Sequence, residues 1–274
     1  MVSVAKKTAE SEAGTLAYLE AGEGEPVLYL HGAGGRPPAG ATFVTELAGS
    51  FHVFVPSRPG FDESPLGSHE TLEAAANALG AFIEKSSPGT PVHVVAQSAG
   101  GAVGLWLAVQ RPDLVATLVL SAPSAFAHRA QPTGQSRTPA ELDKILYGDN
   151  PSWTEPPSQE EQDRIRKNAA FNMRQFSSPG EDLLRRLGDI EAPVLVLWGT
   201  EDRLVPPENS SFYQKHIPHA HRVLIYGAAH ELPISATERW VALVTDFIRR
   251  GEFFVVNRAR SASAPEASIG RIGR

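Results

Sequence analysis

The chain has 274 residues, of which 42% are hydrophobic and 20% charged, and its formal net charge is −6 at pH 7. This balance is typical of a globular protein with a sizeable core; no run of residues approaches the roughly 20 apolar positions of a membrane span, and no basic face is available for nucleic acid. Cysteine is absent, which excludes disulfides, thiolate metal sites and a cysteine nucleophile. Because neither nucleic acid nor a membrane is favoured, the expected partner is a small, partly apolar molecule.

Residues 1–12 mix both charge signs and lack the apolar segment of a secretory signal, so the expected location is cytoplasmic.

An antiparallel pair of strands is expected before Pro26. Further along, short apolar runs alternate with longer helical patterns, which is typical of an α/β protein with a mainly parallel sheet. The predicted core strands, each interpreted as buried, are residues 27–30, 53–55, 92–95, 117–120, 194–197 and 222–225, and the main helices are residues 71–85, 99–110 and 238–250.

The connection between Ser121 and Ala192 is about seventy residues long, which is too long for a plain loop. It contains Pro-rich breaks and three helical patterns, at residues 139–147, 159–175 and 181–187. Ligands of open parallel sheets bind beyond the carboxyl ends of the strands, so this insertion is expected to cover the pocket. The predicted organisation is a core of residues 1–122 and 192–256, a helical cap of residues 123–191 and a disordered tail of residues 257–274.

The segment from Ala96 to Gly100 joins a predicted strand directly to a predicted helix through Ser98. A serine in such a sharp turn is lifted clear of the sheet, and the amide of Ala99 is placed where it can stabilise an oxyanion. An ordinary turn with serine as a helix cap has the same pattern. Because Ala96 replaces the first glycine of G-x-S-x-G, the segment alone does not distinguish a nucleophile from a cap.

Three other predicted strand ends carry residues that could act together with Ser98. Residues 30–35, Leu-His-Gly-Ala-Gly-Gly, can point an amide inward, and Ala33 is the candidate second oxyanion donor. The glycine patterns of phosphate-binding loops, G-x-x-x-x-G-K-[ST] and G-x-G-x-x-G, are both absent here. Asp202 follows the strand at residues 194–197, with Glu201 as its rival, and His230 follows the last strand. Ser, Asp and His therefore arrive at separate strand ends in that order, which favours a catalytic triad.

Five segments resemble landmarks of the α/β-hydrolase superfamily and occur in that family's order. The resemblance spans roughly residues 14–250 apart from the cap, and Asp62 departs from it because the family often has glycine there. The resemblance implies a mostly parallel central sheet flanked by helices, with a helical cap insertion. It also implies an esterase-like serine hydrolase without metal or cofactor. Ser98, Asp202 and His230 would form its triad, and Ala33 and Ala99 its oxyanion hole. The segments are His31-Gly32, residues 58–64 (Arg-Pro-Gly-Phe-Asp-Glu-Ser), the turn around Ser98, residues 199–202 (Gly-Thr-Glu-Asp) and residues 227–230 (Gly-Ala-Ala-His).

Alternative reactions differ in how well the residues fit them. Dehalogenases and epoxide hydrolases of this fold use an aspartate at the position of Ser98, which argues against those reactions. Glu231 stands where carbon–carbon bond hydrolases often have tryptophan, so an ester or related acyl bond is the favoured target. A carbon–carbon bond hydrolase or lyase with the same triad stays open, as does a ligand receptor on the same fold.

A cluster of histidines before the last predicted strand raises the possibility of a metal site. The residues are His216, His219 and His221. Pro218 argues against a ligand-bearing helix face, and no carboxylate joins the histidines closely. The segment is therefore interpreted as a solvated loop, and no metal is predicted.

Overall fold

A computed structural model of the protein describes residues 2–11, 14–126, 138–149, 151, 157–175 and 181–255. The described residues contain an eight-stranded sheet flanked by helices. The strands are β1 (Val4–Ser11), β2 (Gly14–Ala21), β3 (Pro26–Leu30), β4 (His52–Pro56), β5 (Val92–Gln97), β6 (Val115–Ser121), β7 (Val194–Gly199) and β8 (Ala220–Ile225). The helices are α1 (Thr42–Ala48), α2 (Leu72–Ser86), α3 (Gly100–Gln110), α4 (Pro139–Tyr147), α5 (Gln159–Gln175), α6 (Glu181–Arg186), α7 (Ser210–His216), α8 (Leu232–Ser235) and α9 (Thr237–Arg250).

The strand order across the sheet is β1-β2-β4-β3-β5-β6-β7-β8. β2 pairs antiparallel with both β1 and β4, whereas every other neighbouring pair is parallel. This arrangement confirms the predicted antiparallel pair before Pro26, the six predicted core strands and the mainly parallel sheet. Because β3 and β5 to β8 run in one direction, the loops after them meet at one edge of the sheet, where ligands of such folds bind.

Two expectations about the last strand and the segment before it are wrong. β8 lies at the edge of the sheet and is not buried, since Leu224 is 44% exposed and only Ile225 of the strand is fully buried. His216 does not lie in a solvated loop, because it closes helix α7 and its ring stacks on Phe212 with 4.2 Å between ring centroids. His221 lies within β8.

Helix α3 is buried on all sides from Gly100 to Val109, so it sits inside the molecule rather than on its surface. Close packing against the sheet requires glycine at its first position. A Cβ atom at Gly100 would lie 2.5 Å from the carbonyl oxygen of Leu30, which is closer than such atoms approach. The helix therefore holds the turn before it firmly against the ends of β3 and β5.

The long connection between β6 and β7 contains α4, α5 and α6, close to the three predicted helical patterns. Helix α5 lies over the loop that follows β3, because Ile165 would contact a Cβ atom at Gly34 at 3.1 Å. Helix α6 packs on the core through the fully buried Leu183. None of the helices in the described ranges combines the length and hydrophobicity that crossing a membrane requires. The predicted tail, residues 257–274, lies outside the described residues.

Candidate active site

Ser98 occupies the turn between β5 and α3 in a left-handed backbone conformation, with φ of +49°. Such a conformation costs a non-glycine residue roughly 1–3 kcal/mol and persists only where the surroundings enforce it. Here the Ser98 N–H donates to the Ser121 carbonyl at 2.9 Å, and the Ser98 carbonyl accepts from the Gly101 N–H at 2.9 Å. The turn thus presents the Ser98 hydroxyl at the edge of the sheet where the strand ends meet.

His230 contacts the Ser98 hydroxyl directly, with 2.8 Å between Nε2 and Oγ. The loop carrying it is held close to β5 and β7. The Gln97 side-chain amide donates to the His230 carbonyl at 3.0 Å, and Gly199 leaves room for the Ala228 carbonyl, which would lie 2.2 Å from a Cβ atom there. The histidine is 1% exposed, so its position and orientation are set by packing.

Asp202 holds the other side of the imidazole, with 2.8 Å between its Oδ2 and His230 Nδ1. Its Oδ1 accepts from the backbone N–H groups of Leu204 and Val205, at 2.9 and 2.8 Å. The rival residue, Glu201, points to solvent with 56% of its side chain exposed. The structure therefore brings Asp202, and not Glu201, together with His230.

The two hydrogen bonds define one proton arrangement. An imidazole that donates from Nδ1 to a carboxylate is left with Nε2 as an acceptor for the serine hydroxyl. Burial disfavours the charged form of His230, but the charge and the hydrogen bond of Asp202 outweigh it and raise the pKa of His230 above its ordinary 6.5. The histidine is thus a stronger base than a free imidazole.

The segments that carry the two sequence-predicted oxyanion donors both lie next to Ser98. A Cβ atom at Gly32 would lie 3.3 Å from Ser98 Cβ, so the loop after β3 lies against the serine, and Ala99 follows the serine directly. Within the described residues, the backbone N–H groups of Ala33 and Ala99 have no hydrogen-bond acceptor. Both donors are therefore available to a ligand.

A buried network behind the loop orients one of these donors. The carbonyl of Gly32 accepts from His31 Nδ1 at 2.8 Å and from Arg58 Nη2 at 3.0 Å. The carbonyl of Gly32 and the N–H of Ala33 belong to the same planar peptide and point in opposite directions. Fixing the carbonyl therefore fixes the direction of the Ala33 N–H.

Arg58 is a site residue whose contacts the sequence did not reveal. Its guanidinium is buried over the Phe61 ring at 4.2 Å, and burial lowers its pKa to about 9. Its own N–H donates to His31 Nε2 at 3.0 Å. Burial, followed by the Arg58 charge, lowers the pKa of His31 to about 3, so this histidine is neutral. The only sequence signal for this network was the pair of landmarks that contain His31 and Arg58.

A cavity of about 400 Å³ opens beside the loop that carries Ala33. Its walls combine aromatic, apolar and charged side chains from the core, from α4 and from α5. Glu231 also lines the cavity, and its Oε1 would lie 3.5 Å from a Cβ atom at Gly32. Other lining residues are Tyr29, Phe43, Tyr147, Arg164, Ile165 and Ile234.

A family model described as the alpha/beta hydrolase family matches residues 27–244. The chain belongs to this family. This α/β-hydrolase is 25% identical over 242 residues to a pimeloyl-[acyl-carrier protein] methyl ester esterase of Neisseria meningitidis, covering 81% of this chain and 93% of the relative. It is 24% identical over 262 residues to a 2-hydroxy-6-oxo-6-phenylhexa-2,4-dienoate hydrolase of Comamonas testosteroni, covering 85% and 91%.

Solved structures have the same fold. A serine hydrolase from the polyaromatic hydrocarbon-degrading bacterium Cycloclasticus zankles matches with a TM-score of 0.75 at 20% identity, covering 90% of this chain and 98% of that one. The superfamily and the fold predicted from the sequence are therefore confirmed. These relatives of the chain are a methyl ester esterase and a dienoate hydrolase, so they support a hydrolase without specifying the bond that is cleaved.

Proposed function

We propose that this α/β-hydrolase is a serine hydrolase that cleaves a carboxylic ester of a small molecule through an acyl-enzyme. The observation that carries the proposal is the pair of hydrogen bonds, each 2.8 Å long, that links the Ser98 hydroxyl through His230 to Asp202. A serine with this arrangement is activated for attack on a carbonyl. The enforced left-handed conformation of Ser98 supports the same role, because such strain concentrates at functional sites.

In the first half of the reaction, Ser98 Oγ attacks the ester carbonyl carbon while His230 Nε2 accepts the hydroxyl proton. The carbonyl oxygen becomes an oxyanion and accepts hydrogen bonds from the N–H groups of Ala33 and Ala99. Asp202 stabilises the imidazolium and keeps its orientation. The carbon–oxygen bond to the alcohol then breaks, and His230 returns the proton to the departing alkoxide.

In the second half, His230 removes a proton from water, and the resulting hydroxide attacks the acyl carbon attached to Ser98. The same two N–H groups stabilise the second oxyanion. Collapse of this intermediate breaks the bond to Ser98 Oγ, which takes the proton from His230. The carboxylic acid leaves and the enzyme returns to its starting state.

We also propose that α4 and α5 act as the cap over the substrate. Tyr147 at the end of α4, and Arg164 and Ile165 of α5, line the cavity beside the oxyanion loop. Helical insertions at this edge of a parallel sheet commonly close over the bound ligand and exclude water. The acyl or alcohol group of the substrate would then lie between these helices and the loop after β3.

The nucleophile is tested by labelling with a fluorophosphonate probe, which reacts with activated serines. Ser98→Ala is expected to abolish labelling and to lower ester turnover by several orders of magnitude. Ser124→Ala is the matched control, because it removes a nearby hydroxyl from a residue whose backbone N–H, kept in the variant, donates to the Ser98 carbonyl. Labelling of Ser98→Ala at the original rate would contradict the proposal.

The bond type is tested by a panel of p-nitrophenyl esters of graded chain length, run beside lactones, amides and a 2-hydroxy-6-oxo-dienoate. Multiple turnovers on an ester, with slower turnover of the dienoate, are expected. Faster turnover of the dienoate would reassign the enzyme to carbon–carbon bond hydrolysis. Thermal stabilisation by a ligand without product release would instead indicate a receptor.

A further inference from the structure

Glu231 follows His230 directly in the sequence, and a hydrogen bond to α4 holds its backbone in place. Its N–H donates to the Leu146 carbonyl at the end of α4 at 2.7 Å. Its side chain lines the cavity. Ser98 Cβ and Glu231 Oε1 lie 3.3 and 3.5 Å from the same point beside Gly32. The carboxyl group is therefore a neighbour of the nucleophile on the side of the oxyanion loop.

The charged groups that line this cavity differ in how they are paired. Arg36 is bound to Glu63 at 2.9 Å, and Arg164 to Asp62 at 2.5 Å, so each cation has an anionic partner within the protein. Within the described residues, the Glu231 carboxyl has neither a hydrogen-bond donor nor a cationic partner at contact distance. A carboxyl group beside a reacting centre without such a partner can take its donor from the substrate.

The electrostatic setting of Glu231 agrees with this placement. Burial raises the pKa of Glu231 above its ordinary 4.5, and the negative charge of Asp202 adds to this, whereas His230 opposes it. A hydrogen-bond donor from the substrate would compensate for the lost hydration. In either protonation state, the carboxyl group keeps an oxygen that accepts such a bond.

We propose that Glu231 determines substrate specificity by binding a hydroxyl or ammonium group that lies within a few bonds of the scissile carbonyl. A substrate with a carboxylate at that place would put a second anionic group against the half-buried Glu231 carboxyl, so such substrates are disfavoured. The inference rests on the proposed ester hydrolysis and narrows it to donor-bearing, uncharged or cationic esters.

The test compares kcat/KM for esters that differ in one group. On the acyl side, p-nitrophenyl 3-hydroxybutyrate is compared with p-nitrophenyl 3-methylbutyrate, which replaces the hydroxyl by methyl. On the alcohol side, 2-hydroxyethyl butyrate is compared with propyl butyrate. p-Nitrophenyl hemisuccinate, compared with p-nitrophenyl valerate, measures the penalty for a carboxylate. The enzymes are the full chain and its Glu231→Leu, Glu231→Gln and Glu201→Gln variants.

In the unmodified enzyme, kcat/KM is expected to be about tenfold higher for the hydroxyl ester of at least one pair, because a hydrogen bond to a carboxyl group contributes about that much. In Glu231→Leu this preference falls to about one, and hemisuccinate improves about tenfold relative to valerate. Glu231→Gln, which keeps the shape and an acceptor, retains part of the hydroxyl preference and loses the carboxylate penalty. Glu201→Gln removes an exposed carboxylate nearby and is expected to leave all the ratios as they are.

Equal ratios in the unmodified enzyme, Glu231→Leu and Glu231→Gln would overturn the inference. Fluorophosphonate labelling of Ser98, measured in the same samples, separates this outcome from failure of the proposed function. Labelling and ester turnover with unchanged ratios reject only the role of Glu231. Absence of both in the unmodified enzyme rejects the serine hydrolase itself.

Discussion

His230 is the residue whose ionisation should control the rate, because only a neutral imidazole can accept the Ser98 proton. Asp202 raises the pKa of His230 above 6.5, and Glu231 adds to this. The neutral fraction therefore falls as the pH drops below that raised pKa. A plot of kcat/KM against pH should rise through an acid limb above pH 6.5 and then level off. A profile that stays flat down to pH 4 would show that His230 is not the base.

Asp202, the proposed third member of the triad, has a neighbour, Glu201, that serves as its control. Asp202→Asn removes the charge that stabilises the imidazolium, and the amide favours the wrong tautomer, so kcat should fall by about 10⁴-fold. The remaining activity should show its acid limb at lower pH, since the charge that raises the pKa of His230 is gone. Glu201→Gln, which alters an exposed carboxylate, should keep both the rate and the limb. The opposite ranking of the two variants would reassign the third member.

Arg58 is expected to act on the rate through the peptide that it orients. Arg58→Met removes the Nη2 hydrogen bond to the Gly32 carbonyl and leaves only His31 Nδ1 to hold it, so the direction of the Ala33 N–H is less firmly fixed. Loss of one oxyanion donor costs roughly 10²–10³-fold in kcat, so a fall of about tenfold to 10²-fold in kcat with little change in KM is expected for misorientation.

Arg58→Lys keeps one donor and should recover part of the loss. Kinetics are measured well below the unfolding temperature of each variant, because the site is buried. A change confined to KM, or no recovery in Arg58→Lys, would mean that Arg58 only fills space.

At the scale of single elements, Asp62 joins α5 to the core. Its Oδ2 accepts from the Arg36 backbone N–H at 2.8 Å, while its Oδ1 accepts from Asn168 of α5 at 2.8 Å and from Arg164. Burial opposes ionisation of Asp62, but the hydrogen bonds from the Arg36 backbone and Asn168, together with the charge of Arg164, lower its pKa below the ordinary 3.8. This contact is particular to a chain with aspartate at a position where the family often has glycine.

Asp62→Asn should therefore weaken the docking of α5. The substitution leaves the Arg164 guanidinium without its anionic partner. Because Arg164 is 32% exposed and water can replace part of the lost interaction, the expected loss is about 2 kcal/mol in the free energy of unfolding. KM should rise, and proteolysis within α5 should become faster. Asp163→Asn is the control, since Asp163 pairs with Arg166 on the solvent side of the same helix. Equal proteolysis rates in the two variants would argue against the docking role.

The elements that could be predicted from the sequence are those with long or strongly apolar patterns. The core strands and the turn at Ser98 follow this rule. Helices α1 and α7, with seven residues each, are not predicted because a hydrophobic period over two turns is a weak signal, although the similarly short α6 is predicted within the long insertion. The contact between Arg58 and Gly32 spans 26 residues of sequence and arises because β4 lies beside β3, an order that no local pattern specifies.

At the scale of the whole molecule, the sheet assembles the site from distant parts of the chain. Ser98 and His230 are 132 residues apart in sequence yet share a hydrogen bond. The loops after β3, β5, β7 and β8 each carry a candidate site residue, and the strand order places all of them at one edge. The geometry of the site therefore depends on the cohesion of the entire core, and conditions that loosen the core should abolish activity together with the fold.

Acid is one such condition, and His31 is the group expected to set its effect. The folded pKa of about 3 lies below the ordinary 6.5, so the unfolded chain binds a proton that the folded chain excludes between these values. The contribution of His31 to stability is complete above about pH 6.5 and declines as the pH falls toward 3, by up to roughly 1.4 kcal/mol per pH unit. Urea unfolding between pH 7 and pH 5 should follow this slope. His31→Asn should be less stable at pH 7 but show a shallower decline, because asparagine cannot be protonated; parallel slopes for the two proteins would assign the acid sensitivity to other groups.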